Sequence, residues 1–221
     1  MKKPVITKNC VKPLLDTKFV KVFDLQYAEG HHYYDATRRN LDELTAVKSD
    51  AEFKSMVPDA ATCYVILKTP GAEPRLLLHY EYRYPIGQFM ISPPAGLIDP
   101  EDRNCSEPLI VTAKRELYEE TGLEFKNGDK AFVVNPLVFS TPGMTDECNG
   151  LVCLIIENFD EKALSQAHCE TTECFDGFCL VTKKEAREML SKGLDPRGNF
   201  YPAYTWMALA YFVLGDWEKR A

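Results

Sequence analysis

Residues 107–123 read Glu-Pro-Leu-Ile-Val-Thr-Ala-Lys-Arg-Glu-Leu-Tyr-Glu-Glu-Thr-Gly-Leu. The stretch predicts a helix from about Glu107 to Thr121, stopped at Gly122, a residue suited to ending a helix. At about 3.6 residues per turn, Ile110, Ala113 and Leu117 share one apolar face. Glu116 and Glu120 lie one turn apart on another face with Glu119 beside them, and Arg115 precedes Glu119 by four residues, the spacing of an ion pair. Like charges at this spacing cost an isolated helix roughly 0.2–0.5 kcal/mol per pair. A helix held only by its apolar face would gain by losing one of these glutamates, unless a cation sits between them. Clustered hard oxygen donors of this kind suit Mg²⁺ or Mn²⁺. The bland alternative is a solvated acidic face, the usual meaning of a charge run.

Working outward, residues 89–98 are extended and interrupted by Pro93-Pro94, and residues 62–67 and 75–82 predict a β-hairpin around Thr69-Pro70-Gly71-Ala72. Downstream, strands fit residues 131–139, 150–156 and 175–181. Thr182 and Glu185 then make a capping-box pattern that opens a helix ending before Gly193, and a last helix fits residues 204–214. Upstream, residues 19–25 and 31–38 predict two strands joined at Ala28-Glu29-Gly30, while residues 40–58 are polar and mixed, a short helix or a loop. The sum is an α/β chain: a sheet flanked by helices in a domain spanning 59–221, preceded by a small β-rich N-terminal subdomain over 1–58.

The formal charge of −7 argues against nucleic acid or an anionic membrane as partner, since both need a basic surface. Phosphorylated small molecules remain open, because an acidic pocket recruits divalent cations that bind phosphates. The positively charged N-terminus has no apolar run behind it, and residues 206–214 are too short to span a hydrocarbon layer of about 30 Å. A cytoplasmic protein is expected. Of the eight cysteines, Cys148, Cys153, Cys169, Cys174 and Cys179 recur without tight C-x-x-C pairs, so free, partly buried thiols are expected rather than a zinc site or disulfides.

Arg115 to Leu123 resembles R-E-U-x-E-E-x-G-U, U being aliphatic, the second half of the Nudix box, and the seven residues 108–114 separate it from Glu107 as in that family. The first half departs. Ten residues, 97–106, separate Gly96 from Glu107 where the family has five, so the box carries an insertion near Pro100-Glu-Asp-Arg-Asn. Loops accept such insertions at little entropic cost. It leaves open what Glu107 does.

Flanking segments are similar to the ADP-ribose pyrophosphatase branch of that family. Residues 94–99, Pro-Ala-Gly-Leu-Ile-Asp, resemble its P-A-G-x-I-x segment; residues 81–87 resemble its Q/E-x-R-x-P-x-G stretch; residues 140–147 resemble its S-P-G-x-x-x-E loop. Residues 33–39 resemble an N-terminal strand that ends in a substrate-binding arginine. The resemblance implies a Nudix α/β/α sandwich with a mixed sheet. It implies metal ligands at Glu116, Glu120 and the Ala95 carbonyl, with Glu119 joining or bridging through water, and box support from Gly96, Glu107, Arg115 and Gly122. It implies Arg83 on the diphosphate, Arg39 (or else Arg38) on the substrate, Tyr34 on adenine, and Pro142 and Glu147 in the substrate loop. The N-terminal subdomain is exchanged between subunits in relatives, which implies a homodimer.

The implied activity is Mg²⁺-dependent, or Mn²⁺-dependent, cleavage of a nucleoside diphosphate linked to a group X, with ADP-ribose giving AMP and ribose 5-phosphate. A glutamate on a loop after the box takes the proton of the attacking water in relatives; Glu173 is the first candidate and Glu170 the second. Alternatives are another X, such as a nucleotide sugar, or a Nudix-fold ligand sensor without turnover.

Overall fold

The computed structural model describes residues 3–169 and 173–220. The chain forms two compact units, one of residues 1–59 with 137–149 and one of residues 60–136 with 150–221. The segment 137–149, which the sequence places inside the larger domain, thus joins the N-terminal unit.

That unit is built on a three-stranded antiparallel sheet of β1 (Val11–Asp16), β2 (Lys21–Ala28) and β3 (His31–Thr37), in that order. β1 has no counterpart in the sequence reading. Only its first residue is buried, so no alternation marks it, and Pro13 sits next to a register shift on this edge strand. Val11, Phe23, Leu25 and Leu44 form the unit's core. The polar stretch 40–58 holds a short helix, α1 (Asp50–Lys54), opened by a Ser49–Glu52 capping box. Long-range bonds stitch in 137–149: Tyr33 Oη donates to the Gly143 carbonyl at 2.8 Å, the Ala36 amide to the Met144 carbonyl at 3.0 Å, and Thr37 Oγ1 to Asp146 at 2.6 Å. No local pattern encodes these pairs.

The larger unit follows with β4 (Ala60–Leu67), β5 (Arg75–Arg83), β6 (Gln88–Ser92), β7 (Ala95–Leu97), α2 (Pro108–Thr121), most of β8 (Lys130–Phe139) and of β9 (Cys148–Ile156), β10 (Phe175–Val181), α3 (Lys183–Lys192) and α4 (Ala203–Leu214). Its mixed sheet runs β10-β5-β4-β9-β8, with β6 on β5 and β7 on β4. Every residue of β4 is buried, as in a strand covered on both faces. The period of two sorts them: Ala61, Cys63, Val65 and Leu67 pack with Ile110, Ala113 and Leu117 of α2, and Tyr64, on the other face, meets Tyr211 of α4 at 5.5 Å between centroids. The result is the expected α/β/α sandwich. Gly122 and Gly193 end α2 and α3 at positive φ, and the Thr182–Glu185 capping box opens α3. All eight cysteines are free thiols.

Candidate active site

The site of the larger unit is built where β7 meets α2. The short strand β7 is held on the N-terminal end of β4, Thr62 opposite Ala95 and Ala61 opposite Gly96. This brings its backbone against the acidic face of the helix. The Ala95 amide donates to Glu120 at 3.1 Å, and the Glu116 carboxyl lies where a Cβ on Gly96 would be. Gly96 is therefore required for close approach rather than for an unusual dihedral. Glu116 and Glu120 are both buried, so the acidic face is not the solvated one of the bland reading.

Burial dominates the electrostatics, with neighbouring acids adding to it and arginines opposing it. Burial pushes the Glu116 carboxyl up to about 7; Arg115 works against this, and Glu119 and Glu173 add to it. Glu120 is raised well above the ordinary carboxylate range by burial, then by Glu116, Glu173 and Glu81. Glu81 is raised by burial and by Glu173, against the pull of Arg83. Four carboxylates from α2, β5 and the segment before β10 thus share one field. Sheet register places Glu173 among them: Phe175 pairs with Glu81, and the Tyr82 amide donates to the Cys174 carbonyl at 2.8 Å. Glu170 lies outside the described residues. Arg83, partly exposed at the end of β5, pairs with Glu81 at 2.6 Å.

Arg115 pairs with Glu119 at 2.8 Å, at the anticipated four-residue spacing, and with Glu116 at 2.7 Å. Its other partners come from the stretch between β7 and α2, Asp102 and Asp99, each 3.3 Å from Nη2, and from the end of β7, the Leu97 carbonyl at 2.9 Å. Glu107 is exposed and precedes α2 without a side-chain capping bond.

His79, on β5, escaped the sequence reading. It is fully buried against Phe175, with ring centroids 4.6 Å apart, and its Nε2 lies 3.8 Å from Glu120. Burial, then Arg83, lowers its pKa to about 3, so the imidazole is neutral and the contact is no ion pair. Its only sequence signal is one histidine inside the apolar run Leu76-Leu77-Leu78 to Tyr80.

Among the described residues, no three His, Cys, Asp or Glu side chains stand ready-made as a cation cage. The donor set nonetheless fits a hard divalent cation. Buried carboxylates whose pKa values are raised by burial and by neighbouring acids are what such an ion relieves, and release of Arg115 by Glu116 and Glu119 would free further oxygens.

In the N-terminal unit, Tyr34 and Pro142 line one cavity of about 300 Å³ together with Tyr33, Phe53, Phe139 and Met144. Phe53 and Phe139 stack at 6.0 Å. Asp35 and Thr45 also line this cavity, and their Oδ2 and Oγ1 atoms are buried without a hydrogen-bond partner among the described residues. Burial, then Asp146, raises the Asp35 pKa to about 6. Arg39 is largely buried and bound to Asp59 at 2.8 Å and Asp146 at 2.9 Å, so its charge is already matched inside the unit. Arg38, half-exposed, pairs with Glu147 at 3.3 Å.

No family model matches the chain. It is 32% identical over 145 residues to the ADP-ribose pyrophosphatase of Saccharomyces cerevisiae, covering 63% of this chain and 57% of that protein. To an uncharacterized Nudix hydrolase of Schizosaccharomyces pombe it is 29% identical over 144 residues, covering 63% of each. The chain therefore spans about three-fifths of these relatives' lengths. Its backbone matches the crystal structure of an ADP compounds hydrolase at a TM-score of 0.57 and 18% identity, covering 100% of this chain and 96% of that one. The chain shares its fold with that hydrolase, and part of its sequence is similar to an ADP-ribose pyrophosphatase and to a protein named a Nudix hydrolase.

Proposed function

We propose that this chain is a Nudix pyrophosphatase that hydrolyses the diphosphate of a nucleoside diphosphate linked to X, with ADP-ribose, giving AMP and ribose 5-phosphate, as its first substrate. The observation that carries this reading is the cluster of Glu81, Glu116, Glu120 and Glu173 beside β7, in which Glu116 and Glu120 are buried and burial and neighbouring acids raise the pKa values of Glu81, Glu116 and Glu120.

Glu116, Glu120 and the Ala95 carbonyl would hold Mg²⁺ or Mn²⁺, with Glu119 joining once it leaves Arg115. Such a cation supplies charge neutralisation for a diphosphate and a lowered pKa for water. Arg83 orients the diphosphate and offsets the charge that builds on the departing phosphate. Glu173 accepts the proton of the attacking water while a new P–O bond forms to the water oxygen and the bridging P–O bond breaks, its electron pair leaving with the second phosphate. Glu170 is the second candidate for that proton.

Tyr34 and Pro142 belong to the base-binding part of the proposal, supported by the aromatic cavity they line. Arg38 and Glu147 stand at its substrate loop. Arg38 takes precedence over Arg39, because contact with Asp59 and Asp146 leaves the Arg39 guanidinium little capacity for a ligand. A homodimer with exchanged N-terminal subdomains is also proposed, supported by the exposed Leu14, Leu15, Phe19 and Val20 around the β1–β2 hairpin. Light scattering after size exclusion gives its mass. No helix among the described residues is long and apolar enough to cross a membrane; a cytoplasmic location remains part of the proposal.

The test is incubation with Mg²⁺ and a panel of ADP-ribose, nucleotide sugars and dinucleoside polyphosphates. Expected are AMP and ribose 5-phosphate from ADP-ribose, abolished by chelator and by Glu120→Gln. Glu173→Gln should lower kcat by about 10²–10⁴-fold, the usual worth of a general base. Cleavage only of another member moves the substrate. Turnover of none, with retained binding, overturns the enzymatic reading in favour of a sensor.

A further inference from the structure

The insertion between Gly96 and Glu107 sets this box apart from the family spacing. It folds back onto the helix it precedes. Its 3₁₀ turn, Asp102–Asn104, presents Asp102 to the Nε and Nη2 edge of Arg115, at 3.4 and 3.3 Å, while Glu116 and Glu119 take Nη1. The Asp102 side chain is only 13% exposed, against 55% for Asp99. The helix anchors it in turn: Thr112, fully buried and three residues before Arg115, donates its hydroxyl to the same Oδ2 at 3.0 Å. Asp102 is thus a fixed point to which Arg115 is tied, whereas Asp99 is a solvated partner at the rim.

A guanidinium carries five N–H donors in a rigid fork, and its attraction for each acceptor weakens as further acceptors share its charge. In this structure the box arginine occupies Glu116 and Glu119, two of the oxygen donors a cation needs. We propose that Asp102 is a positioning residue that anchors Arg115 from its Nε/Nη2 edge, so that Glu116 and Glu119 can pass from arginine to a divalent cation while the guanidinium stays in place. This rests on the cation-binding role proposed for the box glutamates. Without Asp102, Arg115 has the box glutamates as its main buried partners and holds them against the cation.

The test measures Mn²⁺ binding to the substrate-free protein by electron paramagnetic resonance of free Mn²⁺. Asp102→Asn should weaken binding about tenfold, the loss expected for one charge-assisted contact, with kcat restored at saturating metal. Thr112→Val leaves the charge unchanged but loosens Asp102; it should weaken binding in the same direction, by roughly threefold. Glu101→Gln, which removes an equal charge from an exposed neighbour, should stay within about twofold of the parent protein. The Thr112 variant decides the matter if circular dichroism shows the Asp102 variant unfolded. Parent-like binding in both variants, or an equal loss in Glu101→Gln, overturns the positioning role. If the parent protein binds no Mn²⁺, or if Glu120→Gln does not reduce its binding, the cation reading itself fails. Mn²⁺ binding that is lost in Glu120→Gln but untouched by Asp102→Asn and Thr112→Val refutes only the role of Asp102.

Discussion

Replacing Gly96 by alanine separates chemistry from stability, because the two respond to different atoms. The Gly96 backbone dihedrals suit any residue, so the substitution adds only a methyl. That methyl falls on the Glu116 carboxyl, well inside the 3.0 Å that real Cβ atoms respect. Glu116 ends a flexible side chain, so the carboxyl can swing aside while α2 and β7 stay in place. It must withdraw by about 1 Å or more, a displacement that costs on the order of 10²-fold in rate when it falls on a positioned group. The expected Gly96→Ala protein unfolds within about 1 kcal/mol of the parent, near the scatter of ordinary surface substitutions. Its kcat/KM for ADP-ribose falls by about 10²-fold or more and its Mn²⁺ affinity falls with it. Urea unfolding, steady-state hydrolysis and Mn²⁺ titration read the three quantities. A variant with kcat/KM and Mn²⁺ affinity within threefold of the parent would refute the reasoning. So would one in which activity falls only because the fold is lost.

Three further outcomes follow from the same physics. Gly150→Ala puts its methyl against the Leu109 side chain in the core, so it should cost about 1–3 kcal/mol in urea unfolding while activity per folded molecule is kept, the reverse of Gly96→Ala. Glu120→Gln removes a buried charge that burial and three acids oppose, so its Tm in chelator should exceed the parent's, and the rise in Tm that Mg²⁺ gives the parent should vanish; a lower Tm in chelator would contradict the electrostatic account. Asp35 titrates near 6 when folded against 3.8 ordinarily, so the unfolded chain binds fewer protons in that window and stability falls as pH rises through it. Asp35→Asn should therefore melt above the parent at pH 7.5, with the gap closing by pH 4; a gap independent of pH would rule out this titration.

Much of the fold was legible in local patterns. The Thr69-Pro70-Gly71-Ala72 turn marked the β4–β5 hairpin, the Thr182–Glu185 capping box opened α3, Gly122 closed α2, and β10 spans Phe175–Val181 as read. β1 was not legible, because an edge strand with one buried residue and a proline carries no period. The site was legible where it is local. Glu116, Glu119, Glu120 and Arg115 lie within two turns of one helix, and helical spacing alone implies their association.

What the sequence determined by itself was the acidic helix, its spacing from Glu107 and the insertion, since neighbours along a helix are neighbours in space. Tertiary structure alone decided which distant groups share their field. Pairing of β10 with β5 brings Glu173 to Glu81 and Glu120; the same strand buries His79 beside them; folding of the insertion gives Arg115 a second set of partners in Asp99 and Asp102. In the N-terminal unit, packing of 137–149 turned Arg39, a candidate ligand arginine, into a buried structural ion pair. The physical reason is common to all four cases. Charge interactions act through distance and burial, and between residues tens of positions apart both are fixed by sheet register and loop packing, which no local periodicity encodes.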